Sequence, residues 1–367
     1  MYLVRKGRAL VPTISREELF WKKKEFISFV LSILVFFIHS YFVTDQIDGS
    51  LVSVINQKTA FFFCKSITQF AVPTFFMLSG VTFFKNYSNK KYAEKIKSRV
   101  FTLIIPYLLW NSIWMLYEIL CSYSFLSNFT DNTAPFQLTL LNVLKGIFFY
   151  GCNNPFWFIF DLIIYSLAAP VIFLIIRNKY IGIVSIVALS VLSFFGIQLP
   201  PAVFYLSTSI IFYMTGALMG YHYFDFILKK PKKSTQIFSL IFLIAYIVAK
   251  NAVPADLQYD NPLTEIITFT LCAFSFWNIS DAFIEKIKPR AIYSRSFAIY
   301  AMHLGLSGIV WKILGICLPK KEWVLIPQFF LKVIITVIII NLICLFLEKF
   351  LPKVYNVLMG NRIRRKQ

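Results

Sequence analysis

Ten apolar runs, each long enough to cross a bilayer, restrict this chain to one kind of fold. They lie near 26–43, 66–84, 100–122, 156–176, 180–197, 204–222, 235–250, 263–284, 296–317 and 325–348. About 20 predominantly apolar residues cover the hydrocarbon core of a membrane, with a range of roughly 17–25. Inside that core a segment has no water to bond to, so its backbone must satisfy itself as a helix. The expected fold class is therefore all-α, a polytopic membrane helical bundle of about ten transmembrane helices. Composition agrees, because 58% of the 367 residues are hydrophobic and only 15% are charged, where a soluble domain carries about 25% charged residues. That balance excludes a water-facing globule of this size, a disordered chain, a coiled coil and a disulfide-stapled module. An eleventh apolar stretch, near 138–150, is short and carries Lys145 and Gly146. It reads as a re-entrant or interfacial segment.

The placement of charge sets the expected orientation. The net charge of +20 falls in short basic clusters between the apolar runs. With ten spans and a cytoplasmic N-terminus, 29 of the 37 Lys and Arg lie in the inner segments, namely the N-terminal tail, 85–99, 177–179, 223–234, 285–295 and the C-terminal tail. This is the positive-inside pattern of helical membrane proteins. Counting 138–150 as a span would move Lys229, Lys230, Lys232 and Lys233 outside and break it. Both termini are thus expected in the cytoplasm, with a basic tail at 1–25, a transmembrane domain at 26–350 and a second basic tail at 351–367. Clusters so placed, without an aromatic-and-basic face, exclude nucleic acid as the partner. The first apolar run is too long for a cleaved signal and is expected to remain as a span.

The six cysteines form no CxxC pair and read as small apolar fillers. With three histidines and no HxxxH or HExxH spacing, no metal is implied.

Ionisable groups inside apolar spans are costly and mark function by default. His39 comes first, near the outer end of the first span. A histidine there is a general base, a proton carrier or a metal ligand, or else an interfacial side chain reaching toward headgroups. His303, about two turns inside the ninth span, is a second functional group or a histidine bonded to a neighbouring helix. Asp161 and Glu118 are expected at the depth of His39. Either would orient its imidazole and favour the protonated form in a transition state, or would pair with lysines or face outer water. Lys95, Lys97 and Arg99 open the third span, where they suit an anionic headgroup or a phosphorylated cofactor, Arg99 best by its fork of donors. Ordinary positive-inside loop chemistry explains such a cluster equally. Pro106 is expected to bend the third span.

Four stretches in order resemble the membrane-bound acyltransferase family 3, integral-membrane enzymes that O-acylate surface polysaccharides and other extracytoplasmic acceptors. They are Val35-Phe36-Phe37-Ile38-His39-Ser40, Val72-Pro73-Thr74-Phe75-Phe76-Met77-Leu78-Ser79-Gly80, Lys97-Ser98-Arg99 with Ile105-Pro106-Tyr107, and Pro155-Phe156-Trp157-Phe158 with Asp161. Phe297 to His303 gives a weaker fifth match. The resemblance implies that His39 is the catalytic residue and that Arg99, with Lys95 or Lys97, meets an acyl-CoA donor. It implies acetyl-CoA as donor substrate, no permanently bound cofactor, a glycan or lipid-linked oligosaccharide as acceptor, and a multi-pass location in the cell membrane. Two positions depart from many members: Ser28, eleven before His39, and Phe160 stand where an arginine is common. Either other cations handle the donor or this copy has lost activity. A 1.5 Å rise per residue puts Ser28 about 16 Å from His39, a distance that a cofactor's arm bridges and a side chain does not.

The competing readings are a lipid-linked sugar transporter or flippase, a polysaccharide polymerase, and a catalytically inactive membrane partner in polysaccharide export. The chain lacks the inverted repeats that mark the first. It also lacks the large Arg- and His-rich outer loop expected of the second.

Overall fold

A computed structural model describes residues 3–6, 9–12, 15–41, 50–123, 136–197, 206–252 and 261–361. The basic group Arg362, Arg364, Arg365 and Lys366, and parts of the expected outer connections, lie outside the described residues. The described chain is helical apart from one antiparallel hairpin, β1 (Leu3–Lys6) with β2 (Ala9–Pro12), so the all-helical expectation holds for the bundle and not for its N-terminal tip.

In chain order the helices are α1 (Arg16–Ile38), α2 (Leu51–Phe61), α3 (Ala71–Phe84), α4 (Tyr92–Arg99), α5 (Ile105–Tyr123), α6 (Leu140–Phe148), α7 (Trp157–Leu167), α8 (Ala169–Ile176) and α9 (Lys179–Phe194). There follow α10 (Leu206–His222), α11 (Phe224–Ile227), α12 (Lys233–Ala252), α13 (Pro262–Ser280), α14 (Ser296–Cys317), α15 (Leu325–Phe350) and α16 (Pro352–Leu358).

Several boundaries differ from expectation, each for a local reason. α1 begins at Arg16, ten residues ahead of the apolar run. Ser15 and Glu18 form a reciprocal capping box there, with the Ser15 Oγ accepting from the Glu18 N–H at 3.1 Å and the Glu18 carboxylate accepting from the Ser15 N–H at 2.7 Å. The expected connection 44–65 is helical from Leu51 and runs into α3 as one 34-residue stretch, Leu51–Phe84, loosened by a π turn at Phe62–Ser66. α4 and α5 likewise join into Asn89–Tyr123. Pro106 has no N–H for the Thr102 carbonyl, and the chain answers with a π turn at Val100–Ile104. The run 156–176 breaks into α7 and α8 with a 68° bend. Pro170 removes a bond just after the break, and the Tyr92 hydroxyl donates to the Leu167 carbonyl at 2.9 Å. α6, at nine residues, is too short to cross a membrane.

Six helical stretches among the described residues are long and apolar enough to cross: Leu51–Phe84, Asn89–Tyr123, Lys233–Ala252, Pro262–Ser280, Ala291–Cys317 and Glu322–Phe350. The bent pair α7–α8 makes a seventh if it is one span. The three other expected runs fall on helices that miss the criterion. α1 carries Lys22, Lys23, Lys24 and Glu25 within its 23 residues, α9 has 16 residues and α10 has 17. The outward faces of the bundle are apolar, as at Phe238, Ile241 and Val248 of α12 and Ile334, Ile338 and Leu342 of α15. Continuous apolar surface of this extent belongs in lipid.

The centre of the bundle is α3, ten of whose fourteen residues are buried. It crosses α10 at backbone contact. A Cβ placed on Gly80 would strike the Tyr213 carbonyl, one on Gly216 the Met77 carbonyl, and one on Gly220 the Val81 carbonyl. Small residues at such crossings let two helices approach closely where no hydrophobic effect drives them together.

At the end where α1 begins, Lys23 and Asp281 form a buried ion pair joining α1 to the end of α13. The Lys23 ammonium also lies 3.9 Å from the centre of the Trp277 ring.

Two predictions follow from this packing. Gly216→Val should destabilise the bundle by about 1–3 kcal/mol through overpacking, whereas Gly308→Ala, whose Cβ would meet nothing within 4 Å, should be neutral. Thermal midpoints of the purified variants check this, and equal midpoints would remove α3–α10 from its structural role. Asp281→Asn should cost about 3–5 kcal/mol by leaving Lys23 buried and uncompensated. The double change Lys23→Met with Asp281→Leu should recover most of that loss in the same assay.

Candidate active site

α1 sets out the site. Lys24, Ser28 and Ser32 stand four apart on one helical face and line a cavity of about 410 Å3. Ser32 is fixed by donating to the Ser28 carbonyl at 2.8 Å and to the Ser296 carbonyl at 3.1 Å. Across from this face, Lys95 and Arg99 of α4 line the same space, with Ser79 and Thr82 of α3 between them. The cavity therefore has a cationic mouth and a hydroxyl-lined wall.

Lys95 is anchored, donating to the Phe83 carbonyl at 2.6 Å and standing near the Lys85 carbonyl. The Arg99 guanidinium rests 5.1 Å from the centre of the Phe83 ring. Among the described residues it forms no ion pair, which leaves its fork of donors to face the cavity. Lys97, on the same short helix, points to the exterior and does not line the space. At the rim, Lys85 pairs with Glu17 and holds its carboxyl below the usual carboxylate range.

The far wall is Tyr300. Its ring is stacked on Phe156 at 5.5 Å and 4°, and Phe156 is stacked on Tyr107 at 5.9 Å. The Tyr300 hydroxyl donates to the Pro155 carbonyl, and the indole N–H of Trp114 donates to the Ala301 carbonyl at 2.9 Å. These bonds tie α14 to α5 and to the segment leading into α7. They give the Pro155-Phe156-Trp157-Phe158 stretch a physical task, which is to position Tyr300.

One turn beyond Tyr300 is His303, 1% exposed, with its Nδ1 2.8 Å from the Tyr300 carbonyl. A carbonyl only accepts, so Nδ1 carries the proton and Nε2 is an acceptor. Nε2 is buried and has no hydrogen-bond partner. The ring centre of His39 lies 5.3 Å from that of His303, with Phe36 packed against His303 at 5.4 Å. Two histidines from α1 and α14 thus share one space, at the end of the serine stripe and behind Tyr300.

His39 caps the C-terminus of α1. The turn it belongs to is held by the Ser40 hydroxyl, which donates to the Phe36 carbonyl at 2.8 Å, and by the Lys332 ammonium, 3.3 Å from the Ser40 carbonyl. Lys332 is buried and lies over the Trp311 ring at 4.9 Å.

The other sequence candidates lie elsewhere in the bundle. Asp161 is buried on α7, and its carboxylate accepts from the Ser209 hydroxyl of α10 at 2.8 Å and from the Tyr165 hydroxyl at 3.4 Å. It makes no hydrogen bond to His39. Glu118 lies half-buried near the end of α5, where its carbonyl accepts from Ser122 at 2.8 Å. Ser28, where an arginine was looked for, lines the cavity, while Phe160 packs against Tyr107, Phe149 and Tyr150 instead. Sequence reasoning missed Lys332, although a lysine in the middle of an apolar run carries the same signal as the acids that were noted. It also missed Lys24 and Tyr300 as cavity walls, which only the fold brings opposite Arg99.

Among the described residues no group of three or more His, Cys, Asp or Glu is placed to hold a metal ion. No curated protein and no solved structure matches the chain. The family model described as an acyltransferase domain, that of the acyltransferase 3 family, matches residues 27–345 and so takes in α3, both histidines and all of the cavity lining except Trp21 and Lys24. With that match over most of its length, and with six helical stretches among the described residues long and apolar enough to cross a bilayer, the chain is a membrane protein belonging to the acyltransferase 3 family.

Proposed function

We propose that the protein is an integral-membrane O-acyltransferase that moves an acyl group, acetyl by default, from cytoplasmic acyl-CoA to a hydroxyl of an extracytoplasmic glycan. The observation that carries this reading is the single cavity running from Lys24, Lys95 and Arg99 to Tyr300, with the His39–His303 pair behind it. In this reading ten helices cross the cell membrane, α1, α9 and α10 among them, and both termini are cytoplasmic. The positive-inside count supports that orientation.

Donor phosphates meet the cations at the mouth. Arg99 offers paired donors and Lys95 a point charge. The apolar and hydroxyl-lined interior suits a thin pantetheine arm, which needs few fixed partners and brings its thioester toward Tyr300. Lys24 and Arg99 line the same cavity as Ser28, so they supply the positive charge that an arginine at that position would give.

His39 removes the proton from the acceptor hydroxyl as its oxygen attacks the thioester carbonyl. The tetrahedral intermediate then collapses. The C–S bond breaks, the thiolate of CoA leaves, and the imidazolium returns its proton to that sulfur. The bare Nε2 of His303 offers this proton a second acceptor in the same space, and the Nδ1 bond to the Tyr300 carbonyl holds that ring in place. Asp161, tied to Tyr165 and Ser209, acts at a distance by holding α7 to α10. Glu118 borders the acceptor side of α5.

Transfer from labelled acetyl-CoA to surface glycan by membranes carrying the protein tests the reading. His39→Ala should lower the rate by about 10²–10⁴-fold or to background, with unchanged membrane insertion. His303→Phe should lower it by about 10–100-fold, the scale of a misplaced reacting group. Near-normal transfer by His39→Ala would remove it from the chemistry.

A second measurement separates the cations. Arg99→Ala and Lys95→Ala should raise the KM for acyl-CoA by about 10–100-fold, the worth of hydrogen bonds to charged groups. Lys97→Ala, outside the cavity, should change it by less than about twofold.

A further inference from the structure

A second cavity, of about 670 Å3, opens on another face of α3. Leu78 lines both cavities, so one helix wall separates them. The depth of the second is apolar, formed by Met77 and Val81 of α3, Gly216 and Met219 of α10, and Ala273 and Phe274 of α13. Its mouth carries Lys229, Lys230 and Lys232. It lies at the end of the bundle where α1 begins, since Phe20 also lines it and Lys22 donates to the Glu285 carbonyl close to Lys230.

The three lysines are not equivalent. Lys230 is paired with Glu285 at 2.9 Å. Among the described residues Lys229 and Lys232 have no acidic partner, and both are exposed. Two unpaired ammonium groups therefore stand over an apolar cleft between transmembrane helices.

We propose that this cleft binds an anionic phospholipid, with its phosphate at Lys229 and Lys232 and an acyl chain along Met77, Gly216 and Ala273. The two halves of the site select the occupant together. A soluble anion would satisfy the lysines and leave the apolar wall wet. A neutral lipid would cover the wall and leave the cations unneutralised. A molecule with both parts satisfies the whole surface, and basic pockets between helices at the membrane surface hold anionic headgroups by this logic. Gly216 lines the cleft where α3 and α10 meet in backbone contact, so the wall there is formed by both helices. The site is independent of the transfer chemistry and stands whether or not the acyl donor is correctly assigned.

The test uses the purified full-length protein in neutral detergent, titrated with dioleoyl phosphatidylglycerol or with dioleoyl phosphatidylcholine, and bound lipid is counted by mass spectrometry of the intact complex. One phosphatidylglycerol should be retained at concentrations where phosphatidylcholine is not. The double variant Lys229→Gln with Lys232→Gln, both on the exposed rim, should weaken that binding about 10–30-fold, from roughly one surface-lipid interaction per lysine. Acyl transfer by this variant in a fixed detergent should be unchanged. Equal retention of the two lipids would overturn the proposal, as would undiminished phosphatidylglycerol binding by the double variant. Displacement of the lipid by millimolar inorganic phosphate would also overturn it, because the apolar wall would then contribute nothing.

Discussion

The rest of the bundle depends on the approach of α3 to α10. In hydrocarbon, two helices gain nothing by hiding apolar side chains from solvent, so they must gain from packing itself. Gly80, Gly216 and Gly220 remove the side chains that would hold the two backbones apart. Met77, Val81 and Tyr213 then present carbonyls directly to the partner helix. With α3 fixed at the centre, its remaining faces are committed. One carries Ser79 and Thr82 into the cavity lined by Arg99 and Tyr300, and another carries Met77 and Val81 into the lysine-rimmed cleft.

Many hydroxyls of the interior follow a common pattern, in which the group is disarmed by a carbonyl on its own helix. Ser40, Thr74, Ser166 and Thr215 each donate to the carbonyl four residues back, at 2.6–2.8 Å. Hydroxyls bonded in this way cost little to bury and bring helices no electrostatic cross-links. Other groups bridge helices, as Ser32 does to Ser296 in addition to its bond to Ser28, Ser209 to Asp161 and Lys332 to Ser40. All three bridges hold elements that carry cavity walls or the His39 turn. The Nε2 of His303 belongs to a third group, buried polar atoms without a partner among the described residues, which also takes in the hydroxyls of Tyr87, Tyr213 and Thr336; each such atom is costly to bury.

Much of this was legible in the sequence, for reasons that can be named. Hydrocarbon thickness makes apolar run length decisive, so helices α12, α14 and α15 match the expected runs to within two residues at either end. The breaks were less visible. Pro106 was recognised as a disruption, but whether a proline bends a helix or is absorbed by a π turn depends on what faces the freed carbonyl. Here the backbone of Gly360, at φ +66°, backs onto Thr102. α1 starts ten residues ahead of its apolar run, and α2 carries the helix of the run 66–84 back to Leu51, because caps and tertiary contacts, not hydropathy, set these ends. Of the site, His39 and Arg99 were visible as intramembrane or boundary charges. Their partners were not, because the nearness of His303 to His39 and the meeting of Lys24 and Arg99 around one cavity are products of helix packing between segments far apart in the chain.

The π turn at Val100–Ile104 has a consequence for how this family of sequences can change length. A π turn holds one residue more than the α-helical turn it replaces, and each residue of an α-helix turns the chain by about 100°. α4 is joined to α5 through that turn. Because the wider turn takes up its extra residue, α4 faces as it would on a continuous α-helix one residue shorter. Losing one residue between 100 and 104 would heal the helix, draw α4 about 1.5 Å closer to α5 and leave Arg99 and Lys95 facing the cavity. The turn therefore works as a length adjuster, and the cavity mouth tolerates here a single-residue change that would turn its cations away anywhere else between α4 and α5.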